Sequence, residues 1–181
     1  MTENFEVKFV DPVEAIKSLE IKEGMQVADF GCGAGHFSLA LAGKVGESGT
    51  VYALDILPEK LEATASFAKG RNFTNIITRR ANLEKIDGSK IDSDSLDCVI
   101  LKDMLFQNKD KSAILAEAKR VLKKGGKTLI IEWNMANGAI GPDRQLRLSK
   151  EALISIAQKT DFGFLKEISA GNFHCGMIFV K

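Results

Sequence analysis

The sequence predicts an α/β fold: a doubly wound, mainly parallel sheet with helices on both faces. Short apolar runs typical of buried strands alternate along the chain with stretches of helical periodicity. The first run leads into three alternating glycines, Gly31, Gly33 and Gly35, which allow a strand to turn sharply into a helix. Two closing runs, over residues 164–169 and 173–180, are close enough to pair as an antiparallel hairpin.

In the first half of the chain, capping residues and apolar runs mark the expected elements. Asp11 is suited to cap a helix that begins at Pro12, because its carboxylate can accept free N–H groups of the first turn and proline fits the first helical position. The other expected elements are strands over residues 26–30, up to Asp55 and over residues 76–80, and helices over residues 36–43 and from Pro58 to Gly70.

The second half continues the alternation and ends in the hairpin. A nearly continuous apolar run over residues 96–101 predicts a strand covered on both faces. We expect a helix over residues 110–122 that is stopped by Gly125 and Gly126, followed by a strand over residues 128–133. Ser149 is placed to cap a last helix, which runs to about residue 160.

Length and composition indicate one globular domain. The chain has 181 residues, 45% of them hydrophobic, and we expect a single domain over residues 1–181, with an N-terminal arm and helix over residues 1–20. Its 25 basic and 24 acidic residues give a net charge of +1, so no global field draws it towards nucleic acid or a membrane. The sequence shows neither a targeting segment nor a membrane-spanning run, and the expected location is cytoplasmic.

The spacing of the glycines disfavours a nicotinamide cofactor. The usual dinucleotide pattern is G-x-G-x-x-G, whereas here the third glycine falls one residue early and His36 takes its place. Asp29, just before the turn, is poorly suited to a pyrophosphate but would attract an ammonium or a sulfonium. Asp55 lies 20 residues after Gly35 at a strand end, where doubly wound folds bind a ribose diol, although it could also simply start the turn before Pro58.

The residues D-F-G-C-G-A-G at positions 29–35 resemble the first motif of class I S-adenosylmethionine-dependent methyltransferases. The residues V-L-K-K-G-G-K at positions 121–127 resemble the small-molecule branch of that family, which contains quinone-biosynthesis and arsenite methyltransferases. The resemblance implies a Rossmann-like sheet of seven strands in the order 3-2-1-4-5-7-6, with the last strand antiparallel. It also implies S-adenosylmethionine as methyl donor and S-adenosylhomocysteine as product.

The resemblance assigns the cofactor-binding residues to strand ends, where ligands of open α/β sheets collect. The glycines and Asp29 would face the amino-acid portion of the cofactor, Asp55 its ribose, and Ile56 its adenine. Asn82 falls where the family often has aspartate and would accept from the adenine amine, but it could also be a simple turn residue. The expected cofactor-binding residues are Asp29, Gly31, Gly33, Gly35, Asp55, Ile56, Asn82, Leu83 and Lys102.

On the acceptor side the chemistry requires few particular side chains, because methyl transfer needs mainly alignment of the reacting groups. Asp103 and His174 are the candidate catalytic residues, and histidine side chains ordinarily exchange protons near neutral pH. The candidate substrate-binding residues are Phe9, Phe106, Trp133 and His174. Each of these four has a plain packing or structural role as its alternative, and residues 5–12 could be either a mobile lid or a packing arm.

A small-molecule acceptor is expected, and three other functions remain open. The chain could methylate protein or RNA, it could bind S-adenosylmethionine without catalysis, or it could be an NAD-dependent oxidoreductase, which the glycine spacing disfavours. Arsenite chemistry is disfavoured because Cys32, Cys98 and Cys175 are far apart in sequence, and no metal site is expected. The sequence predicts no membrane span and leaves the oligomeric state unknown.

Overall fold

The protein is described by a computed structural model over residues 7–136 and 140–181, in which one seven-stranded sheet lies between two layers of helices. Its strands are β1 Gln26–Phe30, β2 Thr50–Asp55, β3 Ile76–Arg80, β4 Leu96–Lys102, β5 Leu122–Trp133, β6 Gly163–Ile168 and β7 His174–Val180. Its α-helices are α1 Pro12–Lys17, α2 His36–Val45, α3 Pro58–Gly70, α4 Lys111–Val121 and α5 Lys150–Lys159, with a short 3-10 helix at Arg144–Leu146. The expected α/β class is confirmed.

The strand order is β3-β2-β1-β4-β5-β7-β6. Strands β1 to β5 pair in parallel, and β7 inserts antiparallel between β5 and β6. This is the order implied by the family resemblance. The first reversal of strand order lies between β1 and β4, so the carboxyl ends of these two strands border the crevice in which such sheets bind ligands.

Two apolar cores cover the faces of the sheet. On one face, α4 and α5 bury Ile114, Leu115 and Leu153 against the sheet. On the other face, α1 and α2 bury Ile16 and Leu41. Because both faces of the central strands are covered, the rigid sheet holds the ends of β1, β2 and β4 in fixed relative positions.

The expected helix caps form. Asp11 Oδ1 accepts the backbone N–H of Val13 at 2.8 Å, and Ser149 Oγ accepts that of Ala152 at 3.2 Å. Asp110, which was placed inside the expected helix, instead caps α4 by accepting the N–H of Ala113 at 2.9 Å. Side-chain oxygens thus supply partners for N–H groups that the first turn of each helix leaves free.

The alternation of strand and helix is broken between β3 and β4, where residues 81–95 contain no helix. Asp and Ser are frequent in this connection and favour turns. Instead of packing as a helix, the connection is tied to α4: Glu117 Oε1 accepts the backbone N–H of Ser89 at 3.0 Å, and Arg120 Nη2 donates to the carbonyl of Ile91 at 2.8 Å. The expectation that strand and helix alternate throughout is therefore wrong at this point.

Strand β5 begins six residues earlier than expected. Leu122 ends α4 by adopting an extended conformation, with φ −70° and ψ 138°, so Gly125 and Gly126 do not stop the helix. The two glycines lie in a distortion of the strand, since Leu96 pairs with Leu122 but Cys98 pairs with Lys127. Gly125 has φ 77°, a conformation that glycine adopts without strain.

Candidate active site

The glycine turn after β1 packs against the end of β2. The backbone N–H groups of Gly31 and Cys32 both donate to the carbonyl oxygen of Leu54, at 2.8 and 2.9 Å. Gly31 has φ 76°, and a β-carbon there would clash with the side chain of Met104. Gly33 has φ 53°, and a β-carbon there would meet no protein atom within 4 Å, so the backbone at this position is open on one side. The turn therefore leaves room for a ligand against its backbone.

A cavity of about 660 Å³ lies beside this turn, and we call it the glycine cavity. Its size is in the range of pockets that hold cofactors and drug-sized molecules. Of the nine expected cofactor-binding residues, all but Gly35 line it. Gly35 instead packs against α3, where a β-carbon would lie 2.7 Å from Thr64 Oγ1. The full lining comprises Val10, Pro12, Asp29, Gly31, Cys32, Gly33, Ala34, His36, Phe37, Asp55, Ile56, Leu57, Lys60, Ala81, Asn82, Leu83, Glu84, Lys102, Asp103, Met104, Gln107 and Asn108.

Asp55 fastens the glycine turn to the end of β2. Its Oδ2 accepts the N–H of Gly33 at 3.0 Å, and its Oδ1 accepts the N–H of Leu57 at 3.0 Å. Each carboxylate oxygen can accept a second hydrogen bond, so a pair of ligand hydroxyls can still bind to Asp55. Ile56 is 49% exposed at the rim of the cavity and offers an apolar surface beside that carboxylate.

Asp29 lies at the buried end of the glycine cavity and is only 2% exposed. Its Oδ2 accepts the hydroxyl of Ser38 at 2.7 Å. Burial raises the pKa of Asp29 to about 6, against the opposing effect of the Ser38 hydrogen bonds. A cationic ligand at this end of the cavity would stabilise the carboxylate.

Asn82 and Leu83 form the wall of the cavity that follows β3. Asn82 Oδ1 accepts the N–H of Glu84 at 3.1 Å, which is the turn-forming role considered as its alternative. The same oxygen retains a second acceptor position, and Asn82 lines the cavity. Leu83 is 5% exposed and packs into the core on the same side.

At the end of β4, the side chains of Lys102, Asp103 and His174 form a polar cluster. Asp103 has φ 55°, a strained conformation for a residue with a β-carbon. One of its carboxylate oxygens contacts the ammonium of Lys102, and the other, Oδ1, lies 3.1 Å from His174 Nε2. Burial raises the pKa of Asp103, but its contacts with His174 and Lys102 outweigh burial, and the net effect lowers that pKa. Asp103 is therefore a stable anion on the wall of the glycine cavity.

The expected substrate-binding residues Phe9, Phe106, Trp133 and His174 do not line the glycine cavity. Phe9 is 61% exposed and packs on Phe173, with ring centroids 5.3 Å apart. Trp133 packs on the imidazole of His174, with centroids 4.2 Å apart. Phe106 lies in the turn after β4, where its N–H approaches Glu132 Oε2 at 3.4 Å.

The N-terminal arm, as far as the structure describes it, is attached to the turn between β6 and β7. The N–H of Lys8 donates to Asn172 Oδ1 at 2.5 Å, and the N–H of Asn172 donates to the carbonyl of Lys8 at 2.8 Å. Val10 and Pro12 follow and line the glycine cavity. These contacts favour the packing arm over the mobile lid for residues 7–12, while the first six residues lie outside the described part of the chain.

Two polar residues that support the site were not among the expected site residues. Glu132 is fully buried in β5 and accepts the N–H of Leu105 at 2.5 Å, which holds the turn that carries Asp103; burial raises its pKa to about 7. Thr64 donates from α3 to the carbonyl of Gly33 at 3.1 Å. A glutamate in the apolar run T-L-I-I-E-W was a visible signal for Glu132, whereas nothing in the sequence marks Thr64.

The three thiols are buried and separate. Cys32, Cys98 and Cys175 are free, and burial raises the pKa of all three, to about 12 for Cys32 and Cys98. Among the residues that the structure describes, no group of three histidine, cysteine or acidic side chains could hold a metal ion. In the same residues, no helix is long and apolar enough to cross a membrane.

The chain was compared with known families, curated proteins and solved structures. Residues 21–167 match the model of a methyltransferase domain family, and this span is most of the chain. An arsenite methyltransferase of Aquipseudomonas alcaligenes is 32% identical over 108 residues, which are 58% of this chain and 31% of that protein. A demethylmenaquinone methyltransferase of Geobacillus sp. (strain WCH70) is 29% identical over 119 residues, which are 66% of this chain and 50% of that protein. The chain thus spans about a third to a half of the length of these curated relatives.

A solved structure of an S-adenosylmethionine-dependent methyltransferase from Aquifex aeolicus superposes with a TM-score of 0.86 at 24% identity, covering 94% of this chain and 89% of that one. This likeness shows the fold, and the family match covers β1 to β5 together with the glycine turn. The prediction of a class I methyltransferase fold is confirmed. The chain therefore belongs to the methyltransferase domain family.

Proposed function

We propose that this protein transfers a methyl group from S-adenosylmethionine to a small organic acceptor. The observation that carries the proposal is the glycine cavity, in which the open backbone at Gly33 lies between a buried carboxylate, Asp29, and a hydrogen-bonded carboxylate, Asp55. This arrangement suits a ligand with a cationic end and a diol. S-adenosylmethionine has both, in its ammonium and sulfonium groups and in its ribose.

Different residues of the glycine cavity would contact different parts of the cofactor. Asp55 would accept the ribose hydroxyls through the acceptor positions that Gly33 and Leu57 leave free. Ile56 and Leu83 would contact the adenine, with Asn82 at its polar edge, and Asp29 would stabilise the cationic amino-acid end. When bound, the cofactor supplies an electrophilic methyl group on a cationic sulfur, and the protein contributes alignment and exclusion of water.

A small acceptor is supported by the relatives and by the charge of the chain. The curated relatives are named for arsenite and for demethylmenaquinone, both of them small molecules. The net charge of +1 gives no field for a nucleic-acid acceptor. An organic acceptor is favoured over arsenite, because the buried thiols of Cys32, Cys98 and Cys175 have raised pKa values and form no thiolate cluster.

The first test measures S-adenosylmethionine binding by titration calorimetry in the wild type and in Asp55→Ala. Loss of a hydrogen-bonded carboxylate should weaken binding by about 1–3 kcal/mol, which is roughly 5- to 150-fold in Kd. Glu59→Ala removes a neighbouring exposed carboxylate that does not line the cavity and should leave Kd unchanged. Equal Kd values for Asp55→Ala and the wild type would contradict the ribose assignment.

The second test follows labelled methyl from S-adenosylmethionine into a cell extract that is separated into protein, RNA and small-molecule fractions. Label in the small-molecule fraction, absent with Asp55→Ala, is the expected result. Label in protein or RNA would contradict the small-molecule acceptor. Donor binding without label in any fraction would favour a protein that binds the donor without catalysis.

A further inference from the structure

A second cavity, of about 670 Å³, lies at the edge of the sheet where β1, β4 and β5 begin, which is the edge opposite the glycine cavity. We call it the lysine cavity. One of its walls is the loop between α1 and β1, and the other is the first part of β5. The two cavities share no lining residue, so the lysine cavity is a separate site.

The wall formed by β5 is the distortion at the start of that strand, where residues 123–126 lie opposite Asp97 alone. Extra residues of this kind bend a strand out of the regular sheet. Lys181 holds the bend in place: the N–H of Gly125 donates to its carbonyl oxygen at 3.1 Å, and its own N–H donates to the carbonyl oxygen of Gly126 at 3.0 Å. The sequence K-K-G-G-K thus forms a fixed wall that carries three lysine side chains.

Both carboxylates that line the lysine cavity are already paired with lysines. Lys123 Nζ lies 2.6 Å from Asp97 Oδ1, and Lys127 Nζ lies 2.7 Å from Glu20 Oε2, which joins the two walls. The hydrogen bond and the charge of Lys127 lower the pKa of Glu20, and two more distant lysines lower it further. Neither carboxylate is therefore left uncompensated to repel an anion.

Lys22 and Lys124 are the exposed lysines of the lining, and they lie on opposite walls. Neither has an ion-pair partner among the residues that the structure describes. The side chain of Glu23, which follows Lys22, lies instead against Gly46 and does not line the cavity. Two positive charges in one concave site are thus not neutralised by the protein, and together they attract an anion.

The rest of the lining offers apolar surface beside these charges. Leu19 and Cys98 are buried, and Ile21 and Met25 are half-buried. The loop that carries this surface is closed on itself, because the N–H of Lys22 approaches Met25 Sδ at 3.3 Å. An organic group that is bound here can bury apolar area against the wall while its anionic group stays near the ammonium groups.

We propose that the lysine cavity binds a small organic phosphate monoester, with its phosphate between the ammonium groups of Lys22 and Lys124 and its organic part on the apolar surface. A phosphate monoester carries a charge of about −1.5 to −2 near neutral pH, which matches the two free ammonium groups, whereas a carboxylate or sulfonate carries only one. The cavity has the size of pockets that hold small ligands. The inference does not depend on the proposed function, since it concerns a separate site.

Phenyl phosphate is the probe for binding, and benzenesulfonate is its matched control with a single charge. Titration calorimetry at about 0.15 M salt should show one site per chain, with phenyl phosphate bound about tenfold or more tightly than benzenesulfonate. Inorganic phosphate should bind more weakly than phenyl phosphate, because it buries no apolar area. Equal Kd values for phenyl phosphate and benzenesulfonate, or no saturable binding of phenyl phosphate, would overturn the proposal.

Three variants that each remove one exposed lysine charge locate the site. Lys22→Gln and Lys124→Gln should each weaken phenyl phosphate binding about tenfold. Lys69→Gln, at the exposed end of α3, changes the net charge by the same amount outside the cavity and should leave the Kd unchanged. Lys124→Arg keeps the charge and should retain binding. If the three glutamine variants bind phenyl phosphate equally well, the site is not the lysine cavity and the proposal fails.

Competition distinguishes a small phosphate ester from a nucleic acid. A single-stranded RNA oligonucleotide should displace phenyl phosphate only at concentrations well above the Kd of phenyl phosphate, because the chain has a net charge of only +1. Displacement at concentrations below that Kd would overturn the small ligand in favour of a nucleic-acid backbone. Lys22→Gln and Lys124→Gln should bind S-adenosylmethionine with wild-type affinity, since neither lysine lines the glycine cavity, so failure of one site is distinct from failure of the other.

Discussion

Asp29 combines deep burial with a position on the wall of the glycine cavity. Burial raises its pKa to about 6, and the Ser38 hydroxyl offsets only part of that effect. Without a cation beside it, the carboxylate is costly to ionise in this environment. A bound sulfonium or ammonium changes this balance, because Coulomb attraction favours the ionised form. Binding of the donor and loss of the Asp29 proton are therefore coupled.

This coupling predicts that S-adenosylmethionine binds more weakly as the pH falls through 6. A ligand that binds only the ionised form loses about tenfold in affinity one pH unit below the pKa of about 6 and almost none one unit above it. Titration calorimetry between pH 5 and pH 8 should show this decline in the wild type. Asp29→Asn should bind more weakly at pH 7 and lose the decline. An unchanged pH dependence in Asp29→Asn would show that another group controls it.

At the scale of elements, residues 81–95 connect β3 to β4 without a helix, and side chains of helix α4 hold this connection in place. Glu117 is 3% exposed and accepts from the Ser89 backbone and hydroxyl and from Arg120. Burial raises the pKa of Glu117, but these hydrogen bonds outweigh burial and lower it to about 2. The carboxylate stays ionised and depends on the guanidinium beside it. The connection it holds begins with Ala81, Asn82 and Leu83, which line the glycine cavity.

Arg120→Met should therefore destabilise the protein by about 2 kcal/mol, since the apolar stem is kept but Glu117 loses its counter-charge. The figure is below that for a fully buried pair, because a quarter of the Arg120 side chain is exposed to water. Urea denaturation of the wild type and the variant measures this loss in the free energy of unfolding. The matched control is Lys90→Ala, which removes an exposed ion pair with Asp87 and should cost less than about 0.5 kcal/mol. Equal losses in the two variants would contradict a structural role for the Arg120 pair.

The fold could be predicted from the sequence wherever the signal was local. Apolar runs, the capping residues Asp11 and Ser149 and the glycine turn all act within a few residues, and each element they indicated is present. The start of β5 could not be predicted, because the glycines at positions 125 and 126 are typical of a loop and their place in the strand depends on pairing with β4. The conformation of residues 81–95 before β4 could not be predicted either, because it depends on hydrogen bonds to Glu117 and Arg120, which are distant in sequence.

For the site, strand order decided what could be predicted. Asp55 and Lys102 end parallel strands and Asp29 is the last residue but one of β1, so their positions at one edge of the sheet follow from the alternation alone. The contact between Asp103 and His174 does not, because it requires the antiparallel register in which His174 pairs with Trp133. That register brings the start of β7 to the end of β4 across β5, and no spacing along the sequence encodes it.

At the scale of the whole molecule, the N-terminal arm connects the turn between β6 and β7 to the glycine cavity. Lys8 is joined by backbone contacts to Asn172, between β6 and β7, and Phe9 stacks on Phe173. Val10 and Pro12, immediately after, line the glycine cavity. The hairpin that carries His174 and the wall of the cofactor site are thus held by one short segment. If the arm is displaced from the hairpin, Val10 and Pro12 should pack less tightly on the glycine cavity.

Gly171→Ala tests this connection, with Gly125→Ala as its matched control. Both glycines are left-handed, with φ 73° and 77°, so alanine costs about 1–2 kcal/mol at either position. At Gly171 the added β-carbon would also clash with the backbone of Lys8 and Phe9, whereas at Gly125 it meets no atom within 4 Å. Only Gly171→Ala should therefore speed amide exchange over residues 8–11 and raise the Kd for S-adenosylmethionine severalfold. Equal exchange and equal Kd in the two variants would show that the arm packs against the hairpin without supporting the cofactor site.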